Sequence, residues 1–382
     1  MRHTLFLMIL LLSLSCTSRS QAKRDSIIDT LSDSLSDSIF PTDTLRLLFV
    51  GDLMQHQGQI NAARTSTGYD YSTCFAYVKE EIKKADLSIA NLEVTLGGKP
   101  YKGYPAFSAP DEFLTAIHDA GFNVLVTANN HSLDRGKSGL ERTIQLIDSL
   151  KVPHAGTYIN ADEREKKYPL LLEKNGFRIA LLNYTYGTNG IPVTPPNIVN
   201  YIDTAIIAKD IEESKAMKPD AIIACMHWGI EYQSLPSKKQ KFLADWLLQK
   251  GVDHVIGSHP HVVQPIEVRE DSLTKEKHLV VYSLGNYISN MSARRTDGGL
   301  MVRMELVKDS TIRLNHCEYS LVWTARPIQS GKKNHQLLPI NLPSDSIPVN
   351  ARNSLRIFTN DARTHFNKHN QGIKEYLFYK KK

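Results

Sequence analysis

The stretch Asn123-Val-Leu-Val-Thr-Ala-Asn-Asn-His-Ser-Leu-Asp-Arg-Gly136 decides the fold of this chain. It begins with a short apolar run, Val124–Val126, that is typical of a buried β-strand, and it then changes at once to a polar cluster. In open α/β sheets, the sites lie outside the carboxyl ends of the strands. The stretch therefore predicts an α/β fold with a functional site that includes Asn130, His131 and Asp134.

The same order, an apolar run followed by a polar residue, occurs at five further places in the chain. For example, Leu47–Val50 leads to Asp52, and Ala221–Ala224 leads to His227. The other polar residues at these places are Asn91, Glu93, His259, His261 and Asn286. Because parallel strands present their carboxyl ends at one edge of a sheet, we expect these residues to contribute to one site.

Length and composition are those of an ordinary globular protein. The chain has 382 residues, of which 41% are hydrophobic and 23% are charged, and this argues against a disordered, collagen-like or disulfide-scaffold protein. The formal charge of +6 is spread along the chain apart from Lys380–Lys382, so we expect no nucleic acid partner. Besides Cys16, the cysteines Cys74, Cys225 and Cys317 are odd in number and lack CxxC spacing, which indicates neither a disulfide framework nor a zinc-thiolate site.

The N-terminal segment has the features of an export signal. Residues 1–16 contain an apolar run from Leu5 to Leu12 that is too short for a stable membrane-spanning helix, which needs about 20 residues. Ser15-Cys16 resembles the end of a bacterial lipobox, in which the cysteine is lipidated, although Ser13 occupies a position that is usually Leu. These features predict a protein of the cell envelope that is anchored in the membrane by a lipid at Cys16. Secretion with cleavage nearby is the alternative.

From Leu45 onward, apolar strand runs alternate with amphipathic segments of helical spacing. This alternation predicts an α/β fold with a largely parallel sheet that is buried on both faces. The predicted helices are 75–84, 110–120, 138–150, 206–217 and 238–250. Asn175-Gly176 between two apolar runs predicts a β-hairpin, and residues 300–314 alternate as a strand pair that would form an antiparallel edge or a second sheet.

These patterns divide the chain into four parts. They are a signal peptide (1–16), a flexible polar linker (17–43), a main domain (44–325) and a C-terminal extension (326–382). The linker is a biased polar tract whose length suits a tether between a membrane and a globular domain. In the extension the pattern weakens among several prolines, and a helix is predicted from Asn350 onward.

The strand ends carry a set of side chains that bind metal ions: Asp52, Glu93, Asn130, His131, His227, His259 and His261. This mixture of carboxylate, amide and imidazole suits Zn, Mn, Fe or Co and differs from the all-oxygen cages of Ca or Mg. Because seven ligands exceed the needs of one tetrahedral ion, they predict two ions bridged by a carboxylate and a water. Such a pair is typical of enzymes that hydrolyse phosphate esters, in which a nearby imidazole can protonate the leaving oxygen.

Each of these residues also has a simpler structural interpretation. A single histidine at a strand end is most often a hydrogen-bonded structural residue, Gly51-Asp52 alone could form a turn, and Asn129-Asn130 could cap the following helix. His118, His154 and His254 lack polar ligands around them in sequence, and we assign them to structure or surface. The joint occurrence of polar residues at six strand ends favours a site over these separate explanations.

Six motifs, in order along residues 45–302, hold the candidate residues. They are Gly51-Asp52-Leu53-Met54, Asn91-Leu92-Glu93, Asn129-Asn130-His131 with Asp134 and Gly136, His227-Trp228-Gly229 with Glu231-Tyr232, Gly257-Ser258-His259-Pro260-His261-Val262 with Gln264, and Tyr282-Ser283-Leu284-Gly285-Asn286. Together they resemble the CapA family of bacterial capsule, or poly-γ-glutamate, synthesis proteins. The resemblance implies a four-layered αββα sandwich similar to the calcineurin-like metallophosphoesterases, with a site for two divalent ions (Mn, Zn or Fe) at the strand ends.

The resemblance also implies a role for individual residues. The implied metal ligands are Asp52, Glu93, Asn130, His227, His259 and His261. His131 matches the histidine that donates a proton to the leaving group. Asp134 lies close enough along the chain to orient His131, although Asp134 could equally cap a turn.

Two positions depart from the usual metallophosphoesterase pattern. Met54 stands where the Asp-x-His motif has its histidine, and the nearest imidazole is that of His56. Asn91-Leu92-Glu93 replaces the Gly-Asp motif, so either Glu93 bridges two ions or the site is weaker or holds one ion. His56, Asn91 and Asn286 are therefore additional candidates for the site.

The resemblance predicts a metal-dependent hydrolase of the metallophosphoesterase type that acts in capsule or surface-polymer metabolism. A second hypothesis is a non-catalytic component of a poly-γ-glutamate synthesis or export complex, and a third is a hydrolase of γ-glutamyl amide bonds. The capsule or poly-γ-glutamate synthesis machinery is the expected protein partner. Substrate specificity would come from loops such as 187–200.

Overall fold

Two β-sheets face each other in the part of the chain that the structure describes. The structure is a computed structural model that describes residues 43–309 and 311–379. The predicted signal peptide with its cysteine at position 16, and the predicted linker up to residue 42, lie outside these residues. The strands, numbered along the chain, are β1 (Asp43–Leu53), β2 (Leu87–Leu92), β3 (Val124–Val126), β4 (His154–Ala155), β5 (Thr157–Tyr158), β6 (Leu170–Lys174), β7 (Phe177–Thr185), β8 (Ile198–Val199), β9 (Ala221–His227), β10 (His254–Ser258), β11 (Ile266–Glu270), β12 (Lys277–Val281), β13 (Asn286–Ile288), β14 (Gly298–Lys308), β15 (Ile312–Ala325), β16 (Gln336–Pro339) and β17 (Lys374–Glu375). The helices are α1 (Gln57–Ala63), α2 (Lys79–Ile82), α3 (Asp111–Ala120), α4 (Gly136–Ser149), α5 (Ala161–Lys167), α6 (Thr204–Ala216), α7 (Lys238–Gln249), α8 (Pro327–Ser330) and α9 (Val349–His369).

Parallel pairing dominates the centre of both sheets. In the first sheet the strand order is β16-β15-β14-β1-β2-β3-β4, with β13 beside β1 and β17 beside β15, and β1 to β4 run parallel. In the second sheet the order is β11-β12-β10-β9-β7-β6, with parallel pairing from β12 to β7 and antiparallel strands at both edges. The strand pair predicted over 300–314 is the antiparallel pair β14 and β15, which extends the first sheet.

Alternation along the strands explains how the layers are stacked. In β1, Leu47 and Phe49 pack between the two sheets, whereas Leu48 and Val50 pack against the outer side. Successive side chains of a strand point to opposite faces, so a strand that is apolar at every position must be covered on both faces. Helices provide the outer cover: α3 and α4 on the first sheet, and α6 and α7 on the second. The predicted four-layered αββα sandwich is confirmed.

Four of the five predicted helices agree with α3, α4, α6 and α7 to within a few residues. The helix predicted over 75–84 is mostly wrong, because only α2 within it is helical. In the preceding turns the hydrogen bonds span three residues, as from Val78 N to the Phe75 carbonyl oxygen (3.0 Å), and Phe75 itself stacks on Tyr287. The apolar residues that are spaced as in a helix are therefore mostly buried by a series of turns in this segment.

Residues beyond 325 belong to the same fold. β16 and β17 pair with β15, and α9 places Leu355 and Phe358 in the core between the sheets. Of the residues described, 44–309 and 311–379 belong to one compact unit. The predictions of a helix from Asn350 and of a hairpin at Asn175-Gly176 are confirmed by α9 and by the pair β6 and β7. Over the ranges described, no helix has the length and apolar character needed to cross a membrane.

Candidate metal centre

The carboxyl ends of the central strands bring the predicted residues together. Asp52, near the end of β1, pairs with Asn286 at the start of β13, and His227, at the end of β9, pairs with Ser258 at the end of β10. Side chains from both sheets meet here, since Glu93 from the first sheet lies 3.7 Å (Oε1) from His227 Nε2 of the second. The site is thus assembled across the interface between the two sheets.

Two fully buried carboxylates lie in this site, those of Asp52 and Glu93. Asn91 donates its side-chain N–H to Asp52 Oδ1 at 2.8 Å, but Glu93 Oε1 has no hydrogen-bond partner. Burial, followed by the negative charge of Asp52, raises the pKa of Glu93 well above its ordinary value. A buried carboxylate oxygen without a partner, next to another carboxylate, is an unfavourable arrangement that a bound cation would relieve.

Three buried histidines face these carboxylates. His227 donates through Nε2 to Asn130 Oδ1 (2.8 Å), and its Nδ1 lies 3.1 Å from the hydroxyl oxygen of Ser258. Burial lowers the pKa of His227 well below its ordinary value, and burial together with the neighbouring His261 lowers the pKa of His259 to about 3. Neutral imidazole is the form that binds metal ions, so both rings are already in the ligand state.

His261 differs from the other two histidines because it contacts a carboxylate directly. Its Nδ1 lies 3.4 Å from Asp52 Oδ2 and 3.0 Å from Asn286 Oδ1. Burial acts to lower the pKa of His261, but the hydrogen bond and charge of Asp52 outweigh it, and the net effect raises this pKa. His261 is therefore the imidazole that partly balances the charge of Asp52.

The donor atoms fall into overlapping groups that could each hold a metal ion. Within 4.8 Å of one another lie ligand atoms of Glu93, His227 and His259, and, in a second group, ligand atoms of Asp52, Glu93 and His261. Glu93 is common to both groups, as a bridging carboxylate would be. His259 Nδ1, like Glu93 Oε1, is buried without a partner. These mixed nitrogen and oxygen donors fit a divalent transition metal.

The backbone around the final histidines is strained. His259 and His261 have φ values of 99° and 58°, a left-handed region that non-glycine residues rarely adopt. Gly257, two residues earlier, is needed for close packing, because a Cβ there would lie 2.2 Å from the carbonyl oxygen of Tyr282. Strain of this kind costs about 1–3 kcal/mol per residue and persists where the surroundings enforce it, most often at functional sites.

His131 stands beside the donor groups with a carboxylate partner. Its Nδ1 lies 2.8 Å from Asp134 Oδ2, and the same oxygen accepts the backbone N–H of Phe107 at 2.8 Å. The Phe107 ring packs edge-on against the imidazole, with the ring centroids 4.6 Å apart. Among the residues described, His131 belongs to none of the groups that could hold a metal. Asp134 therefore orients His131 and is more than a local turn cap.

The additional candidates supply hydrogen bonds around the donors. Asn91 contacts Asp52 as described, and Asn286 contacts His261. His56 lies at the start of α1, where its Nδ1 is 3.3 Å from Gln59 Oε1, and burial lowers its pKa to about 4. His56 is in none of the donor groups found among the described residues.

Sequence reasoning did not assign three residues that the fold brings to the site. Glu231 lies near His259 and His261, Tyr186 packs over His259 with ring centroids 4.5 Å apart, and Asn189 accepts the side-chain N–H of Asn130 at 3.1 Å. These residues lie in loops after β9 and β7. Glu231 stands in the motif that begins at His227, and Asn189 lies in the loop 187–200 that was expected to set specificity, but the sequence analysis gave neither residue a role.

Comparison with known proteins places most of this chain in a single group of sequences. Residues 46–291 match the family model described as "Bacterial capsule synthesis protein PGA_cap". "Capsule biosynthesis protein CapA" of Bacillus anthracis is 28% identical over 284 residues, which are 71% of this chain and 66% of that protein. "PGA biosynthesis protein CapA" of Bacillus subtilis (strain 168) is 29% identical over 281 residues, which are 72% of this chain and 71% of that protein.

A comparison of structures gives a more distant likeness. The crystal structure of the calcineurin-like phosphoesterase YfkN from Bacillus subtilis is 13% identical, with a TM-score of 0.44. The match covers 85% of this chain and 100% of that one.

Proposed function

The chain belongs to the bacterial capsule synthesis protein PGA_cap family, and from this membership we propose that it is a divalent-metal-dependent hydrolase of the phosphoesterase type in capsule or poly-γ-glutamate metabolism. The observation that carries the proposal is the buried cluster of Asp52, Glu93, His227, His259 and His261, in which one carboxylate oxygen and one ring nitrogen lack partners. A cluster with only a structural role would satisfy these buried atoms internally.

The proposed cofactor is a pair of divalent ions, Mn, Zn or Fe. The residues that would hold them are Asp52, Glu93, Asn130, His227, His259 and His261. When bound, such ions polarise the ester that is cleaved and lower the pKa of a water that attacks it. Glu93 is shared by both donor groups, so this single side chain could contribute to holding both ions.

The protein's own residues would supply the proton for the leaving group and cover the histidines of the site. His131, held by Asp134 at 2.8 Å, would donate a proton to the leaving oxygen, a step that typically contributes about 10²- to 10⁴-fold in rate. Phe107 fixes the ring of His131 from the side, and Tyr186 covers His259 and His227. The shielding of the histidines from water strengthens the electrostatic interactions within the site.

Hydrolysis of a panel of phosphate esters and γ-glutamyl peptides by the full-length protein tests the proposal. Turnover should disappear on chelation, return when Mn²⁺ or Zn²⁺ is restored, and be lost in Glu93→Gln. Glu112→Gln is a matched control, because Glu112 is a half-buried glutamate in none of the donor groups of the described residues. No turnover by the metal-loaded parent on any substrate would contradict the proposal. Turnover confined to the γ-glutamyl peptides would make the enzyme an amide hydrolase.

A non-catalytic role is the second candidate, and the names of the relatives favour it, since both are described as biosynthesis proteins. In that role the chain would be a component of a poly-γ-glutamate synthesis or export complex. Polymer production in cells would then depend on the chain but survive Glu93→Gln and His259→Ala. Loss of polymer in these variants, at normal protein levels, supports the hydrolase.

The proposed location is the cell envelope, with the protein held at the membrane by a lipid on Cys16. The relatives named for capsule biosynthesis support this location. The capsule or poly-γ-glutamate synthesis machinery is the proposed partner.

A further inference from the structure

We propose that Glu231, which lies near His259 and His261, is a direct metal ligand that completes the cation position of Asp52, Glu93 and His261. The inference rests on the proposed function, because it concerns the same site. Ligand atoms of Glu231, His259 and His261 lie within 4.8 Å of one another, as close as those of the two groups that contain Glu93.

The backbone holds Glu231 in this place. The backbone N–H of Tyr232 donates to the carbonyl oxygen of Pro260 at 2.8 Å, so the segment after β9 is tied to the turn between the two histidines. Gly229 permits the sharp turn that leads there, with a φ of 98°, and a Cβ at this glycine would lie 2.8 Å from the side chain of Gln240. Glu231 is therefore brought to the donors by the fold itself.

The number of ligands leaves room for another donor. The group of Asp52, Glu93 and His261 offers three side chains. Met54, directly after β1, provides no further ligand, since it is buried in the apolar cluster on the helix side of the first sheet. Transition-metal sites commonly use four protein ligands, or three with a water, and Glu231 lies close enough to His261 to be the fourth.

The charge of the site points the same way. Asp52, Glu93 and Glu231 gather three carboxyl groups around the histidines of the site. In the part of the chain that the structure describes, no lysine or arginine forms an ion pair with any of the three. Ionised carboxyl groups gathered without a lysine or arginine partner repel one another, and two divalent cations would balance them.

The experiment compares metal binding by the full-length parent, Glu231→Gln and the matched control Glu112→Gln. Each protein is stripped with chelator and titrated calorimetrically with Mn²⁺ and with Zn²⁺, and bound metal is counted after dialysis at limiting metal. The parent and Glu112→Gln should bind two ions. Glu231→Gln should bind one of them at least about 10-fold more weakly, and Glu231→His should restore binding with a preference shifted toward Zn²⁺.

The outcomes separate this inference from the proposed function. Parent-like binding of both ions by Glu231→Gln, with metal lost in Asp52→Ala, would overturn the role of Glu231 and leave the hydrolase intact. A changed KM with unchanged metal content would likewise overturn it and assign Glu231 to substrate recognition. A parent that binds no metal would overturn both, and circular dichroism of each variant shows that the comparison is between folded proteins.

Discussion

At the scale of single residues, Glu93 carries the strongest physical signature of the site. Its pKa is raised above the ordinary value of 4.5, chiefly by burial and then by Asp52. At a pH above the ordinary pKa and below the raised pKa, Glu93 keeps its proton in the folded state but has lost it in the unfolded state. Linkage then requires that Glu93 reduces the stability of the metal-free protein as the pH rises above about 4.5.

This sign makes a prediction for Glu93→Gln. In chelator, the variant should be more stable than the parent at pH 8, because folding at that pH requires the parent either to take up a proton or to bury the charge of Glu93. The difference in stability between the variant and the parent should shrink toward pH 5. When Mn²⁺ is added, the parent should become the more stable protein, since the variant has lost a ligand. Thermal unfolding of both proteins, with and without metal, measures it. Equal melting temperatures at pH 8 in chelator and in metal would show that Glu93 is neither strained nor a ligand.

His131 makes a different prediction, which separates catalysis from ligation. His131→Gln should keep most of its metal and lose about 10²- to 10⁴-fold in turnover, most severely on substrates with poor leaving groups. Metal content and the rates on a leaving-group series measure this. Loss of the metal would make His131 a ligand, and full turnover on every substrate would remove it from the mechanism.

At the scale of elements, the loop after β7 covers the site. Tyr186 lies over His259 and His227, with centroids 4.5 and 6.3 Å away, and burial raises its pKa to about 12, so the phenol stays protonated. Tyr186→Ala should weaken metal binding or activity by about 10- to 100-fold, as loss of a residue that supports ligands commonly does. Tyr186→Phe keeps the ring and should stay close to the parent. Identical metal titrations for Tyr186→Ala and the parent would contradict a supporting role.

Individual elements also show why the sequence predicts part of the site and misses the rest. Asp52, Glu93 and His227 were predictable because each follows a strand run whose apolar pattern fixes where the strand ends. Glu231 and Tyr186 lie in irregular loops, where no period of hydrophobicity fixes the direction of a side chain. Their proximity to the histidines depends on contacts between distant segments, such as that of Tyr232 with Pro260.

The turn region before α2 illustrates the same limit for the fold. Residues 75–84 have the spacing of an amphipathic helix, yet most of them form turns around buried aromatic rings. Tertiary packing overrides local propensity there. The long, strongly periodic segments that became α3, α4 and α7 were predicted well, because each buries one continuous apolar face on a sheet.

At the scale of the whole molecule, the proposed location in the cell envelope makes a prediction about Cys16. Cys16→Ser should release the protein from the membrane fraction or leave it with an uncleaved signal peptide, because a single lipidated cysteine is the proposed anchor. Fractionation of cells, with the mass of the mature N-terminus, measures this. A normally processed variant that stays in the membrane fraction would place the anchor elsewhere.

The central claim is that the strand ends of both sheets build a metal site, and its most direct test is the metal content of the purified protein. Residues 44–382 prepared without chelator should carry one to two transition-metal ions per chain by elemental analysis. Asp52→Ala and His259→Ala should fold normally and carry less, by on the order of 10-fold or more in affinity, whereas Glu112→Ala should match the parent. Full metal content in both ligand variants, or none in the parent after incubation with Mn²⁺, Zn²⁺ and Fe²⁺, would contradict the account.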